Sequence, residues 1–143
     1  MINAAKVLKV GFIMQAMLPG KENKHESLCE ELLREQAAVL SRAGFAVEDA
    51  LEVLMKINRQ IEQKIEHLRM VQNPGFGQGN MSNKQSIFEE INMVIDQFNT
   101  ACQKAEIQYY YLIVTREALG LRRHETVRQL YQIPSKKKKM QAI

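Results

Sequence analysis

Three histidines, two cysteines and sixteen carboxylates are the groups that could carry chemistry in this sequence of 143 residues. A carboxylate-bridged di-iron bundle needs Glu-x-x-His pairs projecting inward from its helices. Only Glu22 and His25 have that spacing, and they fall in the polar stretch from Lys21 to His25, which reads as a linker. At the same step His67 has Lys64 and His124 has Leu121, and no two histidines stand four apart as on a zinc-binding helix. No metal ligand set and no cofactor is expected. The pairs Glu62 with Glu66 and Glu48 with Glu52 each share a helical face. Lys56, Arg59 and Arg69 stand nearby, so these acids read as a solvated face rather than an acid–base couple. Glu66 beside His67, and the run Tyr109, Tyr110 and Tyr111, are what an unrecognised helical-bundle enzyme would have to use. No catalytic residue is assigned, and the balance leans away from an enzyme.

Nucleophiles and phosphate loops fare no better. There is no Gly-x-Ser-x-Gly elbow. Gly75, Gly77 and Gly79 lie in the stretch NPGFGQGNMSNK, which follows a helical pattern and lacks the Lys-Ser/Thr pair of a phosphate loop, so it reads as a flexible turn. Cys29 and Cys102 sit inside helical patterns and read as reduced, half-buried packing residues. A cytoplasmic location is expected.

The formal charge of +4 comes from 20 Lys+Arg against 16 Asp+Glu. Setting aside Lys136, Lys137, Lys138 and Lys139 leaves a neutral body, so the basic character belongs to the C-terminal end. The stretch ALGLRRHETVR, from Ala118 to Arg128, resembles the helix-turn-helix signature, with Leu-Gly-hydrophobic making the turn and Thr126-Val127 opening the second helix. It departs from the signature in two places. Four residues separate Leu121 from Thr126 instead of three, and Arg116 stands where a small residue is expected. The resemblance implies nucleic-acid contacts from Arg122, Arg123 and Arg128, with the four lysines on phosphates. The lysine run also suits an anionic membrane surface, or simply a solvated, disordered end.

The elements that would position these groups are helical. Leu, Ile, Glu, Gln, Lys and Met dominate, and only three prolines occur. Residues 1–18 read as an amphipathic segment ended by Pro19-Gly20. It is too short to span a membrane, and no cleavage pattern follows its apolar stretch. Ser27 and Glu30 fit a capping box that opens a first helix, which Gly44 would close. A second helix is expected over about 47–72. Its seam Val47, Leu51, Leu54, Asn58, Ile61, Ile65, Leu68 steps alternately by four and three, with Asn58 as a polar residue able to fix register. Asn73-Pro74 ends it. A third helix is expected over about 86–119, opened by Ser86 and closed by Gly120. Ile91, Val94, Phe98 and Leu112 lie on its seam, and Phe88, Ile95, Cys102 and Tyr109 form a second stripe. Residues 107–115 are rich in strand formers, but the helical period runs through them unbroken. A short fourth helix, about 123–131, stops before Pro134.

The fold expected is all-α: a long antiparallel helical hairpin with shorter flanking helices, coiled-coil-like and completed by dimerisation. Residues 1–134 form one domain, and 135–143 a basic disordered tail. The order of a helix and two longer helices resembles that of small flagellar or secretion chaperones, in layout alone. The function expected is non-catalytic protein–protein interaction, as an adaptor, regulator or chaperone-like bundle. The partner is a second copy or another helical protein. The alternatives are a nucleic-acid-binding regulator and an unrecognised enzyme.

Overall fold

The computed structural model describes residues 22–72 and 81–141. They form three helices, α1 (Glu22–Gln72), α2 (Met81–Ala118) and α3 (Glu125–Leu130), with no strand among the described residues. The chain is all-α, and α1 packs against α2 as a hairpin. The segment 1–18 and the glycines of the turn lie outside the described residues.

The hairpin is built on a sevenfold repeat. Val47, Leu54, Ile61 and Leu68 are buried on α1, and Ile91, Phe98, Ala105 and Leu112 on α2. Val47 and Leu112 share one apolar cluster with Val127 of α3. An antiparallel pairing that starts there sets Leu54 level with Ala105, Ile61 with Phe98 and Leu68 with Ile91. The last three pairs all belong to one continuous core. The seams therefore close within one chain. The strand-forming run 107–115 is helical because Leu112 must continue that period, and burial overrides its local preference.

The helix boundaries differ from those read in the sequence. Residues 27–43 and 47–72 are one helix, not two, and it already begins at Glu22. Gly44 lies inside it, and Phe45, expected to fold back on a helix end, is exposed. Leu40 and Val47 are seven apart, so the apolar stripe crosses Gly44 in phase. Burying that stripe outweighs the ~1 kcal/mol that a mid-helix glycine costs. Ser86 likewise falls inside α2, which begins at Met81. Gly44 is thus a local weakness. A Cβ added there would meet only the Tyr131 hydroxyl oxygen, at an ordinary 3.8 Å. Gly44→Ala is expected to stabilise the protein by about 0.5–1 kcal/mol, read as a raised midpoint in thermal unfolding followed by circular dichroism.

The end of α2 follows expectation. Gly120 has φ 86°, in the left-handed region. Its N–H donates to the Glu117 carbonyl at 2.9 Å, and that of Leu121 to the Arg116 carbonyl at 2.8 Å. This pair of bonds is the Schellman arrangement that satisfies the last free carbonyls of a helix.

Residues 135–141 differ most from expectation. Read as a disordered tail, they instead continue an extended segment, 131–141, along α2. Ile133 and Met140 pack on the core. The composition of the run, four lysines in a row, conceals two apolar anchors and a backbone that finds partners on the helix.

Candidate interaction site

Two asparagines hold the extended segment. The Asn99 amide Nδ2 donates to the Lys137 carbonyl at 2.9 Å, and its Oδ1 accepts from the Lys137 N–H at 2.8 Å. Asn92 does the same for Met140, at 3.0 and 2.8 Å. Each carboxamide thus presents one donor and one acceptor to one residue, as a neighbouring strand would. At a net ~0.5–1.5 kcal/mol per bond, the four bonds are a substantial anchor.

The register follows from elementary geometry. Asn92 and Asn99 are seven residues apart on a helix, or about 10.5 Å. Met140 and Lys137 are three apart on an extended chain, or about 9–10 Å. The two repeats match when the segment runs antiparallel to α2. One three-residue step further stands Pro134, which has no N–H to give. There the partner is only a donor, the Cys102 thiol, whose Sγ lies 3.6 Å from the Pro134 carbonyl.

Side chains add selectivity. The Lys137 ammonium stands 5.1 Å from the centroid of the Phe98 ring, a cation–π contact. Lys139 pairs with Asp96 at 3.3 Å. The Tyr131 hydroxyl donates to a Glu48 carboxylate oxygen at 2.7 Å, tying the start of the segment to α1. That bond, then burial, push the Tyr131 hydroxyl above its ordinary pKa. Burial first, and then the negative charge of Glu106, raise the Cys102 thiol, while Lys136 and Lys137 oppose the rise. Cys102 is fully buried and Cys29 half-buried. Thiolate is the reactive form. Iodoacetamide at neutral pH should therefore label Cys29 well before Cys102, with mass spectrometry of tryptic peptides as the readout. Asn99→Ala, which frees the segment over Cys102, should accelerate its labelling at least about tenfold.

No protein-family model matches the chain, and neither a curated protein nor a solved structure does.

The residues expected from sequence are distributed as follows. Leu54, Ile61, Leu68, Ile91, Val94, Phe98 and Leu112 are buried between α1 and α2, and Leu51 and Ile65 are half-buried against them. Asn58 bonds within its own helix, to Glu62 at 3.2 Å, rather than across the seam. It borders an open groove of about 620 Å³ beside the extended segment. Leu51, Leu54, Met55 and Phe98 line it from the hairpin, and Leu130 and residues 134–137 from the other side.

The acids and His67 sit on the outside. Glu52 pairs with Lys56 and Glu66 with Arg69, both at the surface. Tyr110 and Tyr111 are exposed, with ring centroids 6.2 Å apart, and Tyr109 is half-buried against the Val47, Leu112 and Val127 cluster, so the three do not gather on one site. Among the described residues no group of three or more His, Cys, Asp or Glu stands close enough to hold a metal ion. No described helix is long and apolar enough to cross a membrane.

Arg122, Arg123 and Arg128 are exposed at the end of the hairpin. The turn before α3 is stapled by Arg116. Its Nε donates to His124 Nδ1 at 3.3 Å, and its Nη2 donates to the Arg123 carbonyl at 2.9 Å. His124 Nε2 faces a Glu117 carboxylate oxygen at 3.2 Å.

Sequence reasoning passed over Asn92 and Asn99. The available signal was two poor helix formers, one heptad apart, at the flank of the apolar face. Without the tail's path it could not be told from a solvated edge.

Proposed function

We propose that this is a non-catalytic helical interaction protein, and that the N-terminal part of α1 is where a second copy docks. One observation carries the reading. With Val47 level with Leu112, the end of α2 at Ala118 is level with Ser41. Roughly the first 19 residues of α1, about 28 Å, therefore project past the hairpin. On this overhang Leu28, Leu32 and Val39 are 62, 50 and 39% exposed. They recur at helical spacing, and Leu33 widens the stripe, which ends at Leu40 where that side chain packs on the Val47, Leu112 and Val127 cluster. An isolated amphipathic helix gains most of its stability by packing that stripe. A second overhang laid antiparallel on the first is the simplest cover, and closed twofold symmetry is the common outcome for such self-complementary faces.

The test is solution mass by light scattering after size exclusion, across a range of concentrations. A dimer supports the reading. A monomer at all concentrations overturns the docking of a second copy. Turnover of a small substrate that depended on one polar residue would overturn the non-catalytic reading altogether.

A nucleic-acid-binding regulator is the second reading, favoured by the exposed trio Arg122, Arg123 and Arg128 at one end. It has less support than the lysine run suggested, because Lys137 and Lys139 already engage Phe98 and Asp96. Moreover α3 has six residues, under two turns.

A further inference from the structure

We propose that the Asn92–Asn99 face of α2 is a docking groove for an extended segment of another protein, and that residues 132–141 occupy it as an internal competitor. This surface is separate from the overhang of α1.

The clamps read backbone. Asn92 and Asn99 each take one N–H and one carbonyl, which any residue but proline supplies. Their grip is therefore not specific to this chain's own tail. Selection comes from the side chains between and beside them. Ile133 and Met140 are the apolar anchors, Lys137 lies over Phe98, and Lys139 meets Asp96. The fitting partner is an extended segment with an apolar residue, a basic residue four positions on and another apolar residue three further. This is recognition by strand-like addition, with helix carboxamides in place of a sheet edge.

The tail fills only part of the available surface. The groove of about 620 Å³ beside it is floored by Leu51, Leu54 and Phe98. At its edges Met55 is 58% and Leu130 68% exposed. An incoming segment can settle on this apolar ground before the tail leaves. The tail meanwhile competes at an effective concentration on the order of millimolar, as tethered segments do. It thereby sets a threshold that weak, non-matching segments do not pass.

The test uses the full chain and a dye-labelled peptide of residues 131–141 as probe. Ile133→Asp with Met140→Asp weakens the tail and leaves the groove intact. Iodoacetamide labelling of Cys102 reports whether the tail has been released, and circular dichroism whether the hairpin stays helical. We expect the double variant to label faster at Cys102 and to bind the peptide at least about tenfold more tightly than the wild type does. Adding Asn92→Ala and Asn99→Ala should abolish that binding. So should Lys137→Pro in the peptide, which deletes the clamped N–H.

A released tail with no peptide binding overturns the groove as a receptor. A tail that stays in place, with Cys102 protected, overturns its role as a displaceable competitor. If the double variant binds the wild-type chain as a mixed dimer but not the free peptide, the occupant is a second copy's tail, and the proposal of another protein fails. Should the double variant lose helicity, Lys137→Ala with Lys139→Ala provides a milder release, and the same outcomes apply.

Discussion

Phe98→Ala is expected to destabilise the protein by about 3–5 kcal/mol, read as a lower urea midpoint at unchanged slope. Phe98 is 2% exposed and is among the largest fully buried side chains. It lies level with Ile61 in the middle of the hairpin, where two helices and the extended segment meet. Truncation leaves a cavity that neither helix can close without disturbing the layers on both sides. It also removes the ring beneath Lys137. The loss is large against the 5–15 kcal/mol that typically separates folded from unfolded chains. Phe98→Leu, which retains most of the volume, should cost less than half as much. A cost below about 1 kcal/mol for the alanine variant would contradict the layered core described above.

Leu28→Glu with Leu32→Glu is expected to abolish self-association while leaving the fold intact. Both residues lie beyond the reach of α2 and contribute nothing to the hairpin core, so the variant should keep the helical content of the wild type and lose only the part of its unfolding free energy that association supplies. Across an interface between two overhangs they would bring four carboxylates into an apolar seam. Burying even one unpaired charge costs several kcal/mol, which is a drop of at least about a thousandfold in affinity. Light scattering of this variant beside the wild type decides the matter. A variant that remained dimeric would place the interface elsewhere on the molecule.

The hairpin was legible in the sequence because its information is periodic. Val47, Leu54, Ile61 and Leu68 against Ile91, Phe98 and Leu112 can be read from spacing alone, and Gly120 stands where the period of the second seam stops. Gly44 misled because its residue type speaks for a helix end, while the phase of Leu40 and Val47 on either side speaks for continuity. Long-range burial prevailed over the local preference. The capping boxes at Ser27 and Ser86 failed for a related reason. A Ser and a Glu three apart are common inside polar helical faces, and only the chain before them shows whether a helix starts there. The site was hardest to see. Asn92 and Asn99 acquire meaning from residues 137 and 140, which are 38 and 48 positions away. No local pattern connects them, and the four lysines draw attention to charge when the contacts that matter are backbone amides.

Pro134 has a consequence for how the extended segment keeps its place. A helix that offers the same grip at Asn92 and Asn99, seven residues apart, to a chain that meets them three residues apart behaves like a ruler with two marks, and such a ruler permits slippage by one division. If the segment moved by one division toward Asn92, Pro134 would arrive at Asn99 and Lys137 at Asn92. The Asn99 oxygen would then face a ring nitrogen with no proton, leaving an acceptor unanswered where an amide had been. Proline acts there as a pawl. It stops travel in one direction without touching either asparagine, and it does so by the hydrogen it lacks.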